Sequence, residues 1–286
     1  MKRVVCENKR GQQIEFTYNG YPLRLSDTDG FSSAEYTVNT SQNSGQDGEN
    51  YNGSQANKRN PIITANIFED YQLWGDRLRS FFQPRSWGTV YAYESDDDVG
   101  RKAAYQVEKI DIDEAGIPRD ATISLICPDP KFYALTDQLT QLAIWQGGIE
   151  FPFEIPQADE FVAETKVNSL IGNVYNASVV PIGLTIKFSA AGTVISPSLF
   201  DVNRRLLLKI NMTMHAGDLV TVTTGNGNKR AQLTSGGETV NINNLLQYPP
   251  AWLLAYQGDN LFRYDATEGI DNLSCTILST PAFWGA

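Results

Sequence analysis

Apolar and polar side chains alternate along most of this chain in short runs, and a period of two marks half-buried strands. Gln13-Ile14-Glu15-Phe16-Thr17-Tyr18 sets Ile14, Phe16 and Tyr18 on one face; Asn19-Gly20 supplies a turn, and Tyr21, Leu23 and Leu25 resume the alternation. The pattern predicts a hairpin over residues 13–25. Residues 62–67 read as another strand, and 87–93, 104–112 and 121–126 as three more. The Asp-, Gly- and Pro-rich joints of those three predict an antiparallel meander.

The period changes once. Over residues 69–82, Tyr71, Trp74, Leu78, Phe81 and Phe82 fall at helical spacing, with acids ahead of Arg77 and Arg79 as the helix dipole prefers. Pro84 stops the run. The chain predicts one amphipathic helix, whose aromatic stripe serves core packing.

Two stretches break the patterns. Residues 39–60, NTSQNSGQDGENYNGSQANKRN, carry almost no apolar side chain. Composition alone reads them as a disordered loop or linker. The functional alternative is an arm that orders only against a neighbouring subunit, because a lone arm buries too little surface to offset its ordering entropy. The second break is Cys127-Pro128-Asp129-Pro130. Both prolines lack an N–H, and Pro130 holds Asp129 extended, so the ladder of the preceding strand cannot continue. Residues 136–160, with WQGGIEFPFEIP, then read as an inter-domain segment.

The expected organisation is therefore two domains, 1–135 and 136–286. Past Asn168, short strands are separated by the turns SAAG, HAGD, GNGN and SGGE, with the spacing of a β-sandwich or jelly roll. The fold class is mainly β: a β-rich N-terminal domain with one helix, followed by a C-terminal sandwich.

Composition supports a folded chain, with 41% hydrophobic residues including 13 Phe and 13 Tyr. The net charge of −10 divides evenly, −5 on residues 1–135 and −5 on the remainder. Neither half shows the clustered basic face that a phosphate backbone requires, which argues against a nucleic-acid partner. Cys6, Cys127 and Cys275 are an odd number without metal-type spacing and read as buried free thiols in a reducing compartment. The apolar run Val4-Val5-Cys6 ends at Glu7, too short for a signal peptide, and no long apolar stretch follows. A soluble protein made in the cytoplasm, without membrane insertion, is expected.

Candidate chemistry is sparse. The single histidine, His215, sits in a Gly-Asp turn and has no nucleophile in a recognisable setting. Asp96-Asp97-Asp98 and Asp111, Asp113 and Glu114 lack calcium-loop spacing. Residues 224–230, TGNGNKR, lack both the Walker spacing and a following helix and read as a hairpin turn. Glu150 and Glu154 flank prolines and have no known separation. No enzyme activity, cofactor or metal is expected.

Several ordered stretches carry a resemblance: LRSFFQPRSWGTVYAY (78–93), ISLICPDPKFYAL (123–135), GGIEFPFEIP (147–156), NVYNASVVPIGLTIKF (173–188), HAGDLVTVTT (215–224), LLAYQGDNLFRYDA (253–266) and LSCTILSTPAFWGA (273–286). In this order the chain resembles the distal tail protein family of siphophages, the siphophage tail component family. ISLICPDPKFYAL is the firmest single match. The resemblance implies a structural protein at the tail tip of the virion, its first domain assembled into a hexameric ring and its second a galectin-like β-sandwich projecting outwards. Implied partners are the tail tube protein, a tail-associated fibre or lysin protein, and in some members receptor-binding proteins. The polar arm 39–60 then clasps the next subunit, with Asn50, Tyr51, Lys58 and Arg59 as interface candidates. The competing reading is a carbohydrate-binding sandwich that recognises cell-surface glycans, with Trp252 and Trp284 as candidate sugar platforms.

Overall fold

The computed structural model describes residues 2–45, 47–95, 99–113, 115–147, 164–168 and 171–286. Packing divides the chain into two compact units, Met1–Leu135 with Ala282–Ala286, and Thr136–Pro281. The last five residues thus belong with the first unit, where the sequence pattern assigns them to the second.

The first unit contains β1 (Arg3–Asn8), β2 (Gln13–Thr17), β3 (Leu23–Asp29), β4 (Tyr36–Ser41), β5 (Asn50–Ala56), β6 (Ile62–Ile67), α1 (Tyr71–Phe81), β7 (Trp87–Tyr93), β8 (Arg101–Ile112), β9 (Arg119–Ile126) and β10 (Phe132–Ala134). Seven of these strands form a closed barrel in the order β8, β7, β1, β2, β3, β6, β9 and back to β8. Closure depends on β8. Its first half pairs with β7, from Arg101 opposite Ala92 to Gln106 opposite Trp87. Its second half pairs with β9, and the register shifts between Val107 and Lys109. That bulge bends the strand so that one element serves two neighbours. The 87–93, 104–112 and 121–126 meander is present, with β8 starting three residues earlier.

The barrel core follows from the alternation. Val4 and Cys6, Ile14 and Phe16, Ile63, Ala65 and Ile67, and Ala121, Ile123 and Leu125 all point inward. Helix α1 adds Leu78 and Phe81 to this core, and Phe82 caps its end by donating its amide to Leu78. Phe82 lies 6.4 Å from Phe16 and 6.5 Å from Tyr105, ring centre to ring centre. The expected acids fall just outside the helix: Asp70 is its left-handed N-cap and makes no side-chain cap bond, and the first turn is free of acidic residues.

The hairpin expected over 13–25 does not form. β2 pairs antiparallel with β1, and touches β3 only through a parallel pairing of Thr17 with Arg24. The reason lies in the turn: Gly20 donates to Thr17, and Pro22 then has no N–H to return to β2. β3 pairs with β6 instead.

The second unit is built on two antiparallel sheets. One runs through Gln138–Gln141, Leu273–Ser279, Ile182–Ala190, Leu219–Thr223, Arg230–Ser235 and Glu238–Asn241, with Leu254–Ala255 also on Ile182–Ala190. The other runs through Ile171–Asn176, Gly258–Asp265, Ser198–Asp201 and Leu206–Lys209. Each buries alternate residues, such as Ile182, Leu184, Ile186 and Phe188 on the first and Phe262 and Tyr264 on the second. Ile182–Ala190 is one continuous strand, and Ser198–Asp201 has too little alternation to be seen in the sequence. Residues 143–147 pair with 164–168, and the segment 148–163 that holds Glu150 and Glu154 lies outside the described residues. No described helix is long and apolar enough to cross a membrane.

Candidate assembly interface

The polar stretch is not shapeless. β4 and β5 pair as an antiparallel hairpin that joins no other strand among the described residues. Tyr36-Thr37-Val38-Asn39-Thr40 has a β-branched or aromatic residue at most positions, which favours strand even though no core is available to it. A bulge opens between Asn39 and Thr40, opposite Gly53, whose φ of +128° a residue with a Cβ rarely adopts. The register puts Tyr36, Val38 and Tyr51 on one face, where Tyr51 Oη also reaches Ser54 Oγ at 2.9 Å. Val38 is 56% exposed and Tyr51 66%. The opposite face holds Thr37, Asn39, Gln55 and Asn50. A two-stranded ribbon with open edges and an apolar stripe exposed at Val38 and Tyr51 is a surface suited to a partner.

The four candidate residues separate. Asn50 and Tyr51 begin β5 and are exposed, and Lys58 is exposed just beyond it. Arg59 is only 3% exposed and is committed within its own unit. Its Nε donates to Pro130 O at 2.9 Å, and Nη1 donates to Gly30 O at 2.8 Å and Ser33 O at 3.3 Å. Nη2 donates to Trp284 O, and the guanidinium stands 4.9 Å over the Phe132 ring. Its backbone exchanges two hydrogen bonds with Cys127. Arg59 is therefore the bolt at the hairpin's base, and burial lowers its pKa from the ordinary arginine value.

The Pro-Asp-Pro triplet and the chain end complete this base. Pro130 presents its carbonyl to Arg59, and Asp129 receives the Tyr133 hydroxyl at 2.5 Å. Ala282–Phe283 pairs with β10, and Arg101 stacks 4.0 Å from the Phe283 ring while donating to Gly285 O. Trp284 packs edge-on against Tyr36, the first residue of the hairpin. Gly285 passes so close to Ser32 that an added Cβ would sit 1.9 Å from its carbonyl oxygen. No motif in the sequence announces Arg59: its role depends on residues 30–33, 127–132 and 284, which meet it only in the fold.

Trp252 lies in the second unit and Trp284 in the first. His215 is an exposed turn residue whose amide donates to Asp218 Oδ2 at 2.8 Å. Burial notwithstanding, that bond and one from Ser235 hold Asp218 below the usual carboxylate value. Asp111 pairs with Lys109 at 2.8 Å and Asp113 caps its own turn through Ala115. Residues 224–229 form the loop of a hairpin in which Thr223 pairs with Arg230. Asp96, Asp97, Asp98 and Glu114 lie outside the described residues. Among the described residues, no three His, Cys, Asp or Glu side chains group as metal ligands. All three cysteines are free and buried.

Both units enter the comparison with solved structures. The Dit protein of phage SPP1, described as a paradigm of the hub adsorption apparatus in phages infecting Gram-positive bacteria, superposes with a TM-score of 0.68. The match covers 98% of this chain and 99% of that one at 13% identity. The chain shares the fold of a phage hub protein. The activated phage P2 baseplate, determined with Ca and with Sr, gives TM-scores of 0.49 at 10% and 11% identity, covering 98% of this chain and 97% of each of theirs. No protein-family model matches the chain, and no curated protein does.

Proposed function

We propose that this protein is a structural hub of a phage tail tip, with its barrel unit as the ring-forming module. The observation that carries the reading is the end-to-end likeness to the SPP1 hub protein, which spans both units. The hairpin β4–β5 supplies the contact. Its stripe of Tyr36, Val38 and Tyr51, with Asn50 and Lys58 at the margins, docks on the neighbouring subunit, and Arg59 holds its root rigid. The ring is a homo-hexamer that joins the tail tube to a fibre or lysin protein, and the second unit, a galectin-like sandwich, serves receptor-binding partners. The protein acts in the virion by positioning other proteins and not by catalysis.

Light scattering on a gel-filtration column, with negative-stain imaging, tests this. Six copies of 31.7 kDa give roughly 190 kDa and a closed cyclic particle. Replacing residues 37–55 by a short Gly-Ser linker should return the protein to monomers with the barrel intact. A strict monomer at millimolar concentration, or a ring that survives loss of the hairpin, would sink the hairpin's role.

A further inference from the structure

We propose a second binding site, for an acidic peptide segment of a partner protein, in a basic cleft beside helix α1. A cavity of about 390 Å³ opens between the β1–β2 turn and the turn that follows the helix. Lys9, Arg10, Arg77 and Arg85 line it, and no carboxylate does. In a chain of net charge −10 this is a concentrated island of the opposite sign. Among the described residues none of the four forms an ion pair. The neighbouring acids are already engaged: Glu7 accepts from Gln13 and Tyr91, and Asp76 pairs with Arg79.

Four cations that repel one another in a concave site raise the energy of the empty cleft and lower it when anionic groups enter. The backbone adds a second sign of specialisation. Arg85 has φ of +65°, a left-handed conformation that glycine holds without strain and an arginine does not. The turn thus carries a guanidinium where local geometry favours no side chain. The opposite wall is shaped by Asn8, whose side-chain oxygen accepts the amides of Arg10 and Gln12 and fixes the turn that presents Lys9 and Arg10.

The rest of the lining selects among anions. Ile14 and Phe81 contribute apolar surface, and Gln13 and Gln83 contribute amides. A free phosphate has no carbon to set against Ile14 and Phe81, and at most its P–OH groups to offer an amide carbonyl. A peptide with glutamates or aspartates uses all three: carboxylates for the four cations, N–H groups for the amide oxygens, and aliphatic carbons for Ile14 and Phe81. The volume falls in the range of about 300–1,000 Å³ typical of ligand sites.

The experiment uses the full chain in whatever assembly it forms and a fluorescein-labelled peptide, Glu-Leu-Glu-Glu-Leu-Glu, followed by anisotropy. Inorganic pyrophosphate and a single-stranded oligothymidylate serve as competitors. The site predicts saturable binding that weakens as salt rises, and at least about tenfold weaker binding in the Arg77→Glu, Arg85→Glu double variant. Lys229→Glu, on the second unit, should leave it unchanged. Arg85→Gly should bind about two- to fivefold more weakly while hydrogen-exchange protection of the first unit does not fall. That variant separates loss of the site from loss of the fold. Peptide binding indifferent to the double reversal, or displaced more readily by pyrophosphate or oligothymidylate than by unlabelled peptide, would overturn the proposal.

Discussion

Removing the Arg59 side chain should loosen the first unit and leave the second nearly untouched. The guanidinium makes four hydrogen bonds to backbone carbonyls, on Gly30, Ser33, Pro130 and Trp284, and stacks on Phe132. Each charged bond of this kind contributes about 1.5–3 kcal/mol, and the stacking adds about 1 kcal/mol. Water entering the vacated space would satisfy part of the carbonyl deficit, so the net cost of Arg59→Ala is set at about 3–5 kcal/mol. Arg59→Lys keeps the charge but a single ammonium cannot serve carbonyls spread around a planar fork, so it should lose about half as much. Arg59→Met keeps volume without charge and should fall near alanine.

Because two units make a single melting temperature ambiguous, the assay is native-state hydrogen exchange read by mass spectrometry. Peptides from residues 2–135 and 282–286 should lose protection in Arg59→Ala, those from 171–281 should not, and β4–β5 and the chain end should open first. Loss confined to the hairpin, with the barrel strands unchanged and less than about 1 kcal/mol of destabilisation, would show that the buried guanidinium is not the bolt the geometry makes it.

Gly285→Ala should destabilise the first unit by about 1–3 kcal/mol, because its Cβ meets the Ser32 carbonyl at 1.9 Å; a denaturant midpoint equal to wild type would contradict this. Burial pushes the Cys127 thiol up to about 12 and raises Cys6 and Cys275 further, so Ellman's reagent at pH 8 should titrate no thiol in the native protein and all three after denaturation. Asp218 has a folded pKa below its ordinary value of about 4, so its stabilisation is complete above that pH and disappears as pH falls through the lowered value; Asp218→Asn should flatten that part of the acid-unfolding curve. Asn260 is fully buried, and its Nδ2 bonds the Val174, Tyr256 and Gly258 carbonyls. Asn260→Leu should therefore cost the second unit about 2–4 kcal/mol, measured by urea unfolding, and an unchanged midpoint would mean that water replaces the amide at little cost.

The parts of the fold written in short-range periodicity were readable from the chain. Ile62–Ile67 and Arg119–Ile126 alternate because one face is core and the other is not, and α1 was visible because Tyr71, Trp74, Leu78 and Phe81 repeat at helical spacing. Barrel closure was not readable. It depends on a bulge near Glu108 that carries no residue signature, and on β2 pairing with β1 and not with the strand just after it. The hairpin β4–β5 was hidden for a different reason: alternation reports burial, and both its faces are open to solvent. Asn50 and Tyr51 fell on the exposed ribbon and Arg59 in the core, although all three come from one polar run. Composition distinguishes a buried arginine from a solvated one only when its partners are near in sequence, and those of Arg59 lie up to 225 positions away.

The hairpin's two ends then have opposite thermodynamic characters. At the root, ordering is already bought by Arg59, by Trp284 against Tyr36 and by the barrel beneath. Toward the tip, about 1–2 kcal/mol of backbone entropy per residue is opposed by little more than cross-strand pairing. Covering Val38 and Tyr51 on a neighbour would return about 1.5–3 kcal/mol for each side chain fully buried. In the proposed ring, such contacts, each closing the next, would make assembly cooperative without demanding a strong interface at any one of them. A rigid root is what makes this work: a ribbon free to swing would lose on docking the orientational entropy that Arg59 has already removed. Arg59→Ala should consequently weaken the proposed ring as well as the fold, because Arg59 is buried in its own unit. A ring of undiminished stability in a variant whose hairpin root exchanges freely would break that link.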